Sequence, residues 1–136
     1  MKDSDYIEEA VKIGNKIAAP YNFGAVVVKD GNILASEHGH VFEKNNPFQH
    51  AEVSAITKAC GTSGSNYLEG ATLYCSHEPC VMCFCCAAWA HIDRIVYAIP
   101  ANQQDRSMYE FENVSLSGLT GKLLRPIIVE HLSIKP

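Results

Sequence analysis

Short apolar runs alternate with stretches of helical periodicity along most of this chain, and that order narrows the fold more than any other feature. An amphipathic helix is predicted first, over residues 5–18. Ile7, Ala10, Val11, Gly14, Ile17 and Ala18 recur there at helical spacing. Asp5 with Glu8 has the pattern of a capping box, and Pro20 closes the element. Residues 24–29, Gly-Ala-Val-Val-Val-Lys, read as a buried strand. Asp30-Gly31 is a tight-turn signal, so residues 33–37 return as the second strand of a hairpin. Residues 38–49 are a loop, since Pro47 biases the chain before it away from helix. A helix over 50–60, ended by Gly61, leads to a strand over 71–75. A second central helix over 80–90 follows Pro79 and leads to a strand over 94–99. Residues 101–122 are polar with few periodic cues, and residues 126–132 fit a fifth strand or a short helix. Strands joined by crossover helices form an α/β sheet covered by helices.

The 136 residues suit one domain spanning 1–136, with no repeat or linker. That length buries a real core without disulfides. With 47% hydrophobic and 19% charged residues, disorder along the whole chain is excluded. No stretch approaches the roughly 20 apolar residues of a membrane span. Met1-Lys2-Asp3-Ser4-Asp5 is polar and acidic, unlike a secretory leader, so a cytoplasmic location is expected. The net charge of −4 lowers the expectation of a nucleic-acid partner, although 11 Lys and Arg leave room for a local basic patch.

Of six cysteines, Cys80, Cys83, Cys85 and Cys86 crowd into seven residues of a helical stretch. That crowding points to metal binding or redox chemistry rather than to structural staples. Cys80 and Cys83 lie three apart at a helix start, on one face, where the helix dipole favours the thiolate. His50 also stands at a predicted helix start. Thiolate and imidazole together suit zinc, and three ligands leave the fourth corner open, as a catalytic site requires. Zinc brings the pKa of a water in that corner toward about 7. Glu52, two residues from His50, is placed to carry a proton to a leaving amine. The plainer alternatives are a core histidine with two buried thiols, and a solvated carboxylate at a helix end. Cys60, Cys75, Cys85 and Cys86 read as packing residues.

His50-Ala51-Glu52 and Pro79-Cys80-Val81-Met82-Cys83 together form the H-x-E and P-C-x-x-C signature of zinc deaminases. With Gly70-Ala71-Thr72-Leu73-Tyr74, they make residues 5 to 100 resemble the cytidine and deoxycytidylate deaminase superfamily. The resemblance implies a three-layer α/β/α sandwich with a mixed sheet of about five strands. It implies one zinc per subunit on His50, Cys80 and Cys83, with Glu52 as proton shuttle. It also implies hydrolytic release of ammonia from an amino-substituted base, and a homodimer.

Local strings look most like bacterial guanine deaminases. These are Asn22-Phe23-Gly24-Ala25-Val26, residues 50–60, and Ala88-Trp89-Ala90. Within the class of small amino-substituted nucleobases or nucleosides, a guanine-like purine base is therefore the leading substrate. Pyrimidine or triazine bases, tRNA adenosine editing, and a non-enzymatic zinc-stabilised binding module are the alternatives. Relatives usually carry an Asn about eleven residues before the zinc histidine; here that position is Gly39, between His38 and His40. Candidate substrate contacts are Phe23, His38, His40, Phe48, Trp89 and Glu110. Asp105, Glu112, Tyr109 and Phe111 are further candidates from the tail. For Trp89, core packing is an equal expectation.

Overall fold

In the computed structural model, residues 1–111 and 114–134 are described. Among them, the chain forms four α-helices and a five-stranded mixed sheet. The first helix, α1, is Asp3–Gly14, followed by β1 (Gly24–Lys29) and β2 (Asn32–His38). Then come α2 (Ala51–Ser63), β3 (Thr72–His77), α3 (Val81–Trp89) and β4 (Arg94–Ile99). Two 3-10 turns, a short α4 (Leu116–Thr120) and β5 (Ile128–His131) complete the order. The sheet runs β2-β1-β3-β4-β5. Its first two pairings are antiparallel and its last two parallel.

The Val-rich β1 is buried on both faces, and its side chains alternate between two cores. Ala25 and Val27 face α2 and α3, packing with Ala55, Leu73, Phe84 and Ile95. Val26 and Val28 face α1, packing with Tyr6, Ile7, Ala10 and Val96. These two cores on opposite faces make the expected three layers. The hairpin turn uses positive φ at Asp30 (52°) and Gly31 (75°), the geometry that matches strand twist.

Three helix boundaries move by two residues or more from the sequence expectation, and β3 runs two residues further, to His77. Helix α1 starts two residues early, where the Asp5 carboxylate accepts from the Lys2 backbone N–H at 2.7 Å. It stops at Gly14 rather than at residue 18, because it sits directly on the start of β1. A Cβ at Gly24 would stand 1.8 Å from the Ala10 carbonyl oxygen, and one at Gly14 2.7 Å from the Gly24 nitrogen. Gly61 continues α2, which ends instead at Gly64 in the left-handed conformation (φ 72°). The open choice for residues 126–132 resolves as strand: β5 zips parallel onto β4, and the His131 ring bonds the Ala98 carbonyl at 2.8 Å.

Candidate metal centre and active site

Parallel β3 and β4 end at the same edge of the sheet, and the site is assembled there. His50 is the N-cap of α2 and Cys80 the N-cap of α3, so two helix N-termini converge on one point. His50 Nδ1 lies 3.6 Å from Cys80 Sγ and 3.5 Å from Cys83 Sγ, and the two sulfurs are 3.6 Å apart. A tetrahedral zinc with bonds of about 2.3 Å to sulfur and about 2.0 Å to nitrogen separates its ligand atoms by about 3.5–3.8 Å. The three measured edges fit that ion. Hydrogen bonding from Cys83, then from His50, pulls the Cys80 thiol down to about 4, despite burial. Cys83 is pushed up, first by that same bond and then by burial. One thiolate is thus prepared by the protein itself, aided by the helix start.

Glu52 lies on the first turn of α2 and is only 8% exposed. Burial, and then the charge of Cys80, push its carboxyl up to about 7. A buried carboxyl near neutrality beside a metal trio is suited to accepting and returning a proton.

A cavity of about 500 Å³ opens onto His50, Glu52 and Cys80. Phe23, Tyr21, Phe42, Met108 and Tyr109 are among its apolar and aromatic walls, while His38, His40, Glu43 and Glu78 add polar groups. The Phe23 ring meets the His77 ring edge-on at 4.6 Å. Behind them the buried Ser76 hydroxyl accepts from the Gly24 N–H at 2.9 Å and pairs with His77 Nδ1 at 2.7 Å. Burial lowers His77 to about 4, which keeps it neutral.

Of the candidate substrate contacts, Phe23, His38 and His40 reach this cavity. Phe48 and Glu110 line a second hollow of about 330 Å³ that shares Pro47, His50, Glu78 and Cys80 with the first. Tyr109 borders both hollows, and Phe111 borders the second. Trp89 reaches neither: it ends α3 on the surface, 83% exposed, neither stacked over the cavity nor packed in the core. Asp105 bonds the Ser107 backbone and hydroxyl in its own turn, and Glu112 lies outside the described residues. Gly39, between the two histidines, also lines the cavity. Sequence reasoning missed Tyr21, Phe42, Glu78, Gln104 and Met108 as lining residues. Only Glu78 carried a local signal, standing directly before Pro79-Cys80.

Residues 1–99 match the family described as the cytidine and deoxycytidylate deaminase zinc-binding region. The chain belongs to this family. Guanine deaminase of Bacillus subtilis (strain 168) is 38% identical over 117 residues, covering 82% of this chain and 75% of that protein. The tRNA-specific adenosine deaminase of Aquifex aeolicus is 39% identical over 75 residues, 55% of this chain and half of that protein. The X-ray structure of guanine deaminase from Bacillus subtilis superposes with TM-score 0.72 at 30% identity, covering 100% of this chain and 87% of the other. A structure from work on A-to-I editing by tRNA:A34 deaminases gives 0.79 at 25% identity, covering 94% and 91%. As a member of this family the chain is a zinc-dependent deaminase, a hydrolase acting on C–N bonds. Among the described residues, no helix is long and apolar enough to cross a membrane.

Proposed function

We propose that this deaminase acts on a small amino-substituted nucleobase or nucleoside, with a guanine-like purine base the leading substrate. The observation that carries this reading is the pairing of a buried carboxyl, Glu52, with the His50–Cys80–Cys83 trio at one end of a mostly apolar cavity. About 500 Å³ exceeds a planar base and suits a base or nucleoside. Zinc, held by the trio, supplies Lewis acidity and an activated water. The remaining work falls to this chain's side chains. Phe23 and Tyr109 flank a planar ring, and His38 offers a polar contact at the position beside Gly39. Glu52 takes a proton from the attacking water and gives it to the ring nitrogen, then carries the second proton of that water to the departing amine. The sum is replacement of C–NH2 by C=O, consuming water and releasing ammonia. The fit to guanine deaminase over most of both chains supports the purine choice.

The chain works as a homodimer of single-domain subunits in this reading. A monomeric sedimentation value at micromolar concentration refutes that part. The test of the activity is ammonia release from a panel of guanine, adenine, cytosine, amino-triazines, their nucleosides and a tRNA, with Glu52→Gln alongside. Release from a free base or nucleoside, lost in Glu52→Gln with zinc retained, supports the proposal. Turnover of the tRNA alone, with affinity falling steeply in salt, overturns it in favour of editing. Zinc binding with no ammonia from any compound leaves a binding module.

A further inference from the structure

We propose that His38, His40 and Glu43 form a second cation site, for a borderline first-row divalent ion such as Zn2+ or Ni2+, on the wall of the same cavity. Their ligand atoms all lie within 4.8 Å of one another, and all three residues line the cavity. An ion with bonds of about 2.0–2.2 Å spans ligand atoms about 3–4.3 Å apart, so the set contracts slightly overall while His40 Nδ1 and Glu43 Oε1, which touch, part to admit the ion between them. Two imidazoles with one carboxylate suit ions of this class rather than Mg2+ or Ca2+.

Hydrogen bonding on the outer side of each ring distinguishes this cluster from a chance ion pair. His38 Nδ1 donates to the Gly39 carbonyl at 2.8 Å, which leaves Nε2 with its lone pair. His40 Nε2 points to the Glu37 carboxylate at 3.4 Å, which turns Nδ1 toward Glu43 Oε1, with which it is in contact. A backbone carbonyl or a carboxylate behind a ligating histidine is the arrangement that fixes tautomer and ring orientation at metal centres. The two rings lie 4.5 Å apart. Their backbone is held in advance: His38 pairs with Gly24 at the end of β2, and the His40 N–H donates to the Gln49 carbonyl at 2.8 Å. Two carboxylates, Glu37 and Glu43, face His40; Lys58 lies 3.6 Å from Glu37, and the Lys44 ammonium also acts on Glu43.

The ion site stands independently of the substrate proposed above. If His38 also meets substrate, the two compete, and excess metal inhibits turnover.

The experiment uses tag-free protein reconstituted with Co2+. Cobalt on His50, Cys80 and Cys83 shows a thiolate charge-transfer band, whereas cobalt on His38, His40 and Glu43 adds visible absorption without that band. Two cobalt ions per chain are expected at sub-millimolar free metal. His38→Ala or His40→Ala should leave one ion with the thiolate band intact, which also reports a folded site. Glu43→Gln, a change at the surface, should weaken the second ion about tenfold or more. One ion per wild-type chain overturns the proposal, as does a second ion that survives in all three variants.

Discussion

Arg94→Met isolates the anchor that ties α1 to the far end of the sheet. The guanidinium donates to Asp3 Oδ1 at 2.9 Å and Oδ2 at 2.6 Å, and to Glu130 Oε1 at 2.8 Å and Oε2 at 3.3 Å. It thereby joins the N-terminus of α1 to β4 and β5. Asp3 also accepts from the Tyr74 hydroxyl at 2.6 Å. Arg94 first, then Tyr74, hold the Asp3 carboxyl down to about 2, from 3.8. A shift of that size corresponds to about 2.5 kcal/mol before screening. The Asp3 side chain is 38% exposed, so solvent reduces the Arg94 contribution to about 1.5 kcal/mol. Glu130, 48% exposed, adds about 0.5 kcal/mol. The expected loss is about 2 kcal/mol. For a chain of this length, unfolding entropy near 290 cal/mol/K converts that loss to a Tm drop of about 7 °C. A carboxylate with a lowered folded pKa stabilises above its unfolded value and loses that effect as pH falls through the folded one. The gap between wild type and variant should therefore be full at pH 6 and close between about pH 4 and pH 2. Urea melts across that range measure it. A gap below about 0.5 kcal/mol at pH 6, or one unchanged at pH 2, would refute the reasoning. Turnover well below Tm should be unaffected, since Arg94 lies at the opposite end of β4 from the metal trio.

Gly24→Ala should destabilise by about 3 kcal/mol or more, since its Cβ would enter the Ala10 carbonyl and neither backbone can yield freely; a melt within 0.5 kcal/mol of wild type contradicts the close approach. Gly39→Asn should fold normally, because a Cβ there meets only ordinary contacts at 3.5 and 3.7 Å. It should raise kcat/KM for a purine base about tenfold or more by returning an amide to the cavity; unchanged kinetics on every base would show that the position does not meet substrate. Stripping the trio with a strong chelator should abolish ammonia release and lower Tm, both restored by one equivalent of zinc. Elemental analysis alongside calorimetry checks this.

The elements nearest the chemistry were legible because their signals are local. His50 and Cys80 precede apolar helices, and β1 is a continuous Val run between turn signals. The end of α1 was not legible, because Ile17 and Ala18 prolong the apolar period although the Gly14–Gly24 contact has already stopped the helix. Gly61 read as a stop, yet an exposed glycine inside a helix costs only about 1 kcal/mol and α2 absorbs it. The cavity walls were the least legible part. Tyr21, Phe42 and Met108 come from loops whose positions depend on the assembled sheet. Trp89 carries no sequence mark of facing outward, because periodicity gives a helix face but not what covers it.

The floor of the cavity and one of its walls have separate anchorages. His50, Glu52, Cys80 and Cys83 are fixed by α2 and α3, whereas Gln104, Met108 and Tyr109 hang from the segment that β5 clips back onto β4. Insertions, deletions or exchanges between residues 100 and 127 can thus reshape the entrance while the reactive groups keep their spacing. A lineage built on this chassis can change its diet without relearning its chemistry.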